Sequence, residues 1–505
     1  MNRLRVLFFA ALAATLLLGS CSAVVEVDEQ PEIFPDYKGV TIPVGIAPMD
    51  FNLPAGYGRV RVEVVGSEGG SMKGGGRWAR FGIRRWKALT EANKGGSLTF
   101  RVSGKKDGRW VRFAAFDMDV SREPLDEFGI TYRQIAPGYT TFSSIGIYQR
   151  DLHSFKEYPI LTSTLLPGQC VGCHTPNRTS PDCFMFHVRG AKGGTYIRRE
   201  DKSDWVITKT DRTIGNVAYT NWHPSGNFYA GSIDLVRQCF WTANHRWIEV
   251  ADLAADVVVV DERSRELLVS PELTSKEYLE MQPAFSADGT TIYFCRARAR
   301  DVPREIDEVR YDLCSISFDP ETGRVGDTVR MVIPAADNGF SVTWPRPSFD
   351  GRYIIYCKAD AGCFPIEHKE ADLWVMDLQT GENRALDEVN SSYSESYHSW
   401  SSGSRWFLFS TRRFDGLYGQ VYFSCIGDDG RCTKPFLLPQ RNPRKFYHSV
   451  HYSFNVPDFT SGKVDLDLKG MHRSVFKGEK DRLTPVGAQM PSYASDLVED
   501  ELSIN

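Results

Sequence analysis

Five consecutive residues, Cys170-Val171-Gly172-Cys173-His174, carry the sharpest chemistry in this sequence. Two thiols three positions apart with a histidine directly after them form the attachment pattern of c-type haem. The thiols add to the vinyl groups and His174 becomes the proximal iron ligand. Candidates for the distal position are Met185 and His187, with His223 and His398 further along the chain. Methionine would raise the potential, a second histidine would lower it, and an open position would admit a small molecule. The same neighbourhood offers a metal site. Cys170, Cys173, Cys183 and His187 stand in the spacing C-x2-C-x9-C-x3-H, which suits zinc. A third reading is a structural CxxCH that holds no cofactor.

Haem attachment requires an extracytoplasmic compartment, and the N-terminus speaks to that. The chain opens with Arg3 and Arg5, followed by an apolar run from Val6 to Leu18. As a helix this run spans about 20 Å, too short for a bilayer core of about 30 Å, so it has the form of a signal-peptide core. It ends in Leu18-Gly19-Ser20-Cys21, which resembles the lipobox of bacterial lipoproteins. That resemblance implies acylation of Cys21 and cleavage just before it. The expectation is a membrane-anchored, extracytoplasmic protein, on either the periplasmic or the surface face.

The 11 cysteines fit an oxidising compartment. Setting aside Cys21 for lipid and Cys170 and Cys173 for haem leaves an even set. Cys357 with Cys363 and Cys425 with Cys432 each flank a short loop and are expected to staple hairpins. Cys295 and Cys314 fall on successive strands, and Cys183 with Cys239 remain as the last pair.

A formal net charge of −4 with 60 basic and 64 acidic residues excludes the basic excess of a nucleic-acid binder. Helical periodicity is confined to Ile83–Asn93, with Ile83, Trp86 and Leu89 on one face, and to one or two turns around Ser275–Met281. Elsewhere short β-branched and aromatic runs, cut by Gly, Asp, Asn and Pro, point to an all-β chain. Arg59–Val65, Ser97–Val102 and Trp110–Phe113 read as strands of an N-terminal domain, and Gly66–Gly76 reads as a mobile loop.

One phrase then recurs: an apolar or aromatic residue, a Gly-containing turn, and an apolar strand. Its copies are Trp222–Ala230, Phe285–Phe294, Pro347–Tyr356 and Trp400–Phe409. Spacing of this kind gives one four-stranded sheet per repeat and a β-propeller of about five to six blades. The phrases resemble the WD40-like (PD40) repeats of the TolB family, most closely from Pro283 to Phe294. Phe186–Gly190, Tyr397–Ser402 and Lys434–Gln440 extend the resemblance to a group of TolB-like lipoproteins of Bacteroidetes. That group carries the same CxxCH and is often labelled cytochrome c biosynthesis protein.

The resulting organisation is a signal peptide (1–20), a lipidated tether (21–35) and an N-terminal β domain (36–160). A CxxCH haem segment (161–194), a TolB-like propeller (195–470) and a C-terminal tail (471–505) follow. There is no GxSxG nucleophile elbow and no HExxH, so no catalytic residue is assigned and an enzyme in its own right is not expected. The leading expectation is electron transfer or redox sensing through one haem c, with the propeller rim docking a protein partner. The alternative is a non-redox binding or scaffold lipoprotein whose CxxCH is structural or holds zinc.

Overall fold

The computed structural model describes residues 24–136, 145–166, 169–190, 192–240, 248–477 and 480–491. The chain forms two units, one comprising residues up to Arg122 together with Pro439–Ser449, the other the remainder.

The first unit is a seven-stranded sheet whose central strands are Arg59–Gly66 and Ser97–Lys106. Alternate residues of these strands, Val60, Val62, Val64, Leu98, Phe100 and Val102, are buried, as a half-buried sheet demands. The helix Ile83–Ala92 lays Trp86 and Leu89 into this core. Gly66–Gly76 is not a loop. Ser71–Gly76 is a strand paired with Arg59–Gly66, and Gly74 lies where a side chain would meet the Phe81 ring. The stretch expected as a tether is also structured: Val24–Glu26 pairs in parallel with the strand Arg109–Arg112, and Phe34 bridges Asn52.

The second unit is a six-bladed β-propeller. Each blade is built on four antiparallel strands, and in blades 2 to 6 the first of them is innermost. The inner strands of blades 2 to 6 are Cys170–Asn177, Val217–Trp222, Tyr278–Phe285, Ser341–Pro347 and Glu395–Trp400. Blade 1 takes its outer three strands, Gly129–Ile135, Gly146–Asp151 and Glu157–Thr162, from the start of the unit. Its inner strand, Ser453–Thr460, comes from the end. Antiparallel pairing of Ser453–Thr460 with Gly129–Ile135 therefore closes the ring and leaves it no open edge. Apolar clusters fill the spaces between successive blades, for example Ile147, Val171, Phe184 and Phe186 between blades 1 and 2.

This topology redraws the expected boundaries. The propeller starts near Glu123, not residue 195, because Gly129–Thr162 is needed to build blade 1. Residues 161–194 are not a separate segment, since they supply the first two strands of blade 2. The C-terminal stretch is no simple tail either. Asp481–Arg482 and Thr484–Gly487 add as parallel fifth strands to the outer edges of blades 2 and 3. The helical turns expected at Ser275–Met281 are replaced by the inner strand of blade 4. Among the described residues no helix is long and apolar enough to cross a membrane.

Ring closure rests on side chains such as Phe454, which is 2% exposed and meets the Tyr132 ring edge-on at 4.9 Å. Phe454→Ala should lower the unfolding free energy by about 3–5 kcal/mol in a urea titration. Phe476→Ala, at a 40% exposed position of the same unit, should change it by less than about 0.5 kcal/mol. Equal effects would argue against closure by this strand.

Candidate functional site: the central channel

Every inner strand carries the same irregularity. The register against the second strand slips between Gly172 and Thr175, Ala218 and Asn221, Met281 and Ala284, Thr343 and Arg346, Ser396 and Ser399, and Asn455 and Asp458. Within each slip one non-glycine residue takes a left-handed conformation: Cys173, Tyr219, Gln282, Trp344, Tyr397 and Val456, with φ from 47° to 53°. These are β-bulges, which bend a strand and re-aim a side chain.

The bulge residues converge on the propeller axis. Tyr219 of blade 3 reaches past blade 4 to meet Trp344 of blade 5, edge-on at 5.9 Å, and Trp344 meets Tyr397 at 4.9 Å. Gln282 spans the gap, its Oε1 accepting from the Trp344 backbone N–H and its Nε2 donating to the Cys363 carbonyl. The channel thus has an aromatic floor at mid-height.

The residue after each bulge turns into the seam between blades. These residues are His174, Thr220, Pro283, Pro345, His398 and Pro457. His398 is buried, and its Nε2 donates to the Ile355 carbonyl on the second strand of the preceding blade. His174 occupies the equivalent place, 1% exposed, against Phe184 and the strand bearing Thr131 and Arg133. Burial pushes both histidines down to about 3, so both are neutral wedges. In three blades proline fills this position, which marks it as a packing site of the wall.

The haem arrangement does not fit this geometry. Cys173 is the bulge residue on the channel wall, whereas His174 is shut into the seam toward blade 1. Met185 lies opposite Thr175 and His187 opposite Gly172, on the other face of the blade 2 sheet from Phe184 and His174. Met185 joins the cluster shared with blade 3, and His187 Nδ1 lies 3.0 Å from Thr195 Oγ1. A sheet therefore separates both proposed distal ligands from the proposed proximal one. The zinc set is not assembled either. Cys170 pairs with Arg189, six residues along the strand from Cys183, a separation of about 20 Å. Among the described residues no group of three or more His, Cys, Asp or Glu side chains is placed to hold a metal ion.

None of the four expected disulfides is formed, and geometry excludes three of them. Cys295 lies opposite Leu313 and Cys314 opposite Phe294, so the two thiols point to opposite faces of blade 4 and join different clusters. Cys183 lies against Gly226, just before the strand Phe228–Phe240, and Cys239 lies at the far end of that strand. Eleven strand positions, about 35 Å, intervene. Cys357 Sγ lies 3.7 Å from the Glu395 carbonyl, and Cys363 Sγ lies 3.1 Å from Asp252 Oδ2. Cys425 and Cys432 do lie on facing segments, beside the Ile426–Cys432 bridge. Cys21 falls outside the described residues. His223 and His398 share no surface, since His223 sits in the turn after its inner strand, with Nδ1 2.7 Å from Ser225 Oγ.

Above the aromatic floor, toward the end where the inner strands begin, the channel is polar. Arg189 of blade 2 lies 6.0 Å from the Tyr219 ring of blade 3 with Asp234 close by, and Arg133 of blade 1 passes over Gly172. None of these four stood out in the sequence. A usable signal existed in four repeats: the bulge residue precedes the left-handed turn residue (Gly226, Gly289, Gly351, Ser404) by seven positions.

The blade 3 hairpin Phe228–Phe240 and Ile248–Asp261 runs past its own blade and is fastened to loops of blades 4 and 5. Tyr311 donates to Asp252 Oδ2 at 2.6 Å, joined there by the Cys363 thiol. His368 Nε2 meets Glu249 Oε2 at 2.9 Å, and its Nδ1 meets Glu370 Oε1 at 3.1 Å. Burial pushes the Asp252 carboxyl up to about 7, with Asp234 adding to it. Burial presses the His368 pKa down, but the two glutamates together outweigh it and set it at about 9.

Against these observations, no family model matches the chain, and no curated protein matches it. Among solved structures it is similar to TolB from Acinetobacter baumannii, at 12% identity over 75% of this chain and 86% of that chain, with a TM-score of 0.41. It is also similar to a putative 6-phosphogluconolactonase from Bacteroides fragilis, at 8% identity over 67% and 99%, with a TM-score of 0.32. The propeller assignment rests on the strand topology of the chain itself.

The hairpin fastening makes stability depend on pH. With its folded pKa near 7, Asp252 holds its proton where the unfolded chain, titrating near 4, has lost it. The folded state therefore binds more protons, and stability falls as pH rises from about 4 to 7. Asp252→Asn should remove this contribution, so the stability of the variant relative to the native chain should rise across that window in urea titrations. A pH-independent difference would count against the assignment.

Proposed function

We propose that this chain is a lipid-anchored, extracytoplasmic binding propeller that works without redox chemistry. The single observation that supports this reading most is the placement of CxxCH within a six-fold repeated wall element. Cys173 occupies a bulge that five other blades also possess, and His174 occupies a wedge that three blades fill with proline. A haem c would supply one-electron chemistry if it were attached. Attachment would require His174 to leave its seam and the inner strand of blade 2 to detach from the blade.

The aromatic floor and polar upper chamber support a ligand-binding role, since propellers concentrate binding at one mouth of the channel. The rim around that mouth, crossed by the blade 3 hairpin, would be the surface for a protein partner. Fold alone does not decide between these uses, but both are binding functions.

Lipidation at Cys21 would give the anchor. Val24–Glu26 is already a strand of the first unit, so only two residues separate the anchor from folded structure. That allows about 10 Å of reach and would hold the first unit at the membrane surface without a long tether.

Two measurements test this reading. Protein produced with the haem-attachment machinery should give no pyridine haemochrome spectrum. A covalent haem at one per chain would overturn the non-redox assignment. Cys21→Ala should move the protein from the membrane fraction to the soluble fraction, and unchanged fractionation would rule out the anchor.

A further inference from the structure

The upper chamber holds two arginines, Arg189 and Arg133, that form no ion pair within 4.0 Å among the described residues. Arg189, at the end of the second strand of blade 2, is exposed to solvent, with Cys170, Cys173 and Asp234 near it, which sets it at the channel mouth. It makes no side-chain hydrogen bond or ion pair among the described residues. Its nearest aromatic contact is the Tyr219 ring, 6.0 Å away. Asp234 lies close enough to act on it electrostatically but forms no ion pair with it.

Arg133, on the second strand of blade 1, is half-buried, and its Nε is buried without a hydrogen-bond partner. It too forms no ion pair among the described residues. Its guanidinium crosses Gly172, where an added Cβ would lie 2.5 Å from Arg133 Nη1. The glycine of the CxxCH stretch thus makes room for this side chain. Both guanidinium groups flank the same segment, Cys170 to Cys173.

Neighbouring arginines show the contrast. Arg412 makes two 3.0 Å contacts with Glu367, and Arg413 lies 2.8 Å from Glu395. These two mouth-side arginines are thus neutralised by the protein's own carboxylates. Leaving the buried Arg133 Nε without an acceptor is costly unless something else supplies one.

The geometry points to the upper chamber as a binding site for a small monoanionic carboxylate with a ring or apolar body. The planar guanidinium fork matches a carboxylate. Asp234, and Asp252 beside it, offset part of the arginines' charge, which suits a monoanion better than a dianionic phosphate. The half-buried Tyr219 ring beside Arg189 offers the apolar contact, backed by the buried rings of Trp344 and Tyr397. This inference rests on the binding-propeller reading and specifies its ligand.

The test is titration calorimetry on the mature chain with benzoate and D-glucuronate as probes, and with D-glucose and inorganic phosphate as controls. At least one carboxylate should bind, D-glucose should not, and phosphate should bind more weakly than the better carboxylate. Arg189→Gln and Arg133→Gln should each weaken binding about tenfold or more. Arg189→Lys, which keeps the charge but loses the fork, should retain part of it. Because Arg189 makes no hydrogen bond or ion pair among the described residues and lies 6.0 Å from the Tyr219 ring, Arg189→Gln should shift the melting temperature of the unliganded chain by little, which separates a ligand role from a structural one.

The proposal is overturned if neither carboxylate binds, if glucose binds as tightly as glucuronate, or if phosphate binds more tightly than both carboxylates. Unchanged affinity in Arg189→Gln, or a large loss of stability in that variant without ligand, would overturn it as well. A covalent haem would defeat the underlying reading whatever the calorimetry shows. An absence of both haem and carboxylate binding would defeat only this ligand assignment.

Discussion

Six inner strands must run side by side around one axis, and the left-handed bulge in each is the constraint on which the remaining structure depends. A non-glycine residue in that conformation costs on the order of 1–3 kcal/mol, and this chain accepts it six times, at Cys173, Tyr219, Gln282, Trp344, Tyr397 and Val456. Each bulge does two things at once. It turns one side chain onto the axis, and it drives the next residue into the seam between blades. The seam residue is proline in three blades, which has no N–H to satisfy, threonine in one, and in two a neutral histidine such as His398, bonded to the neighbouring blade. Channel chemistry and blade-to-blade packing are therefore set by adjacent residues of one strand.

Closure follows from the same geometry. A ring of blades has no free edge only if its last inner strand belongs to the first blade, and Ser453–Thr460 meets that condition. Residues near 130 and near 455 become neighbours, so Arg133 and Asp458 contribute to one channel despite their separation in sequence. The additional strands at Asp481–Gly487 cover the outer edges of blades 2 and 3, where an unpaired edge would otherwise face solvent.

The all-β class and the propeller were legible because the hairpins of blades 3 to 6 are local: strand, tight turn, strand. Blades 1 and 2 were not legible, for physical reasons. The turn of blade 2 uses Arg178 at φ 55° in place of a glycine, which removes the punctuation that marks the other repeats. Blade 1 is assembled from segments about 300 residues apart, and no local pattern records that pairing. In the fourth phrase the left-handed turn residue is Ser404, one place after the glycine that advertised the turn. The cysteine pairings failed through register. Cys295 and Cys314 do sit on adjacent strands, but one position out of step, and a period of two then sends the thiols to opposite faces.

The CxxCH stretch shows why spacing alone underdetermines chemistry. Haem attachment requires both thiols and the histidine to address one ring, which a compact turn achieves and a strand does not. In a bulged strand, Cys173 and His174 diverge, one toward the axis and one into the seam. Gly172, the least informative residue of the motif as a haem signal, acquires a reason: it is the position over which the Arg133 guanidinium passes. The chemistry at this place thus belongs less to the cysteines than to the two arginines beside them. A buried guanidinium nitrogen without an acceptor, as at Arg133 Nε, is a stronger pointer to a ligand than a thiol pair on a wall strand, because its desolvation is left uncompensated until an acceptor arrives.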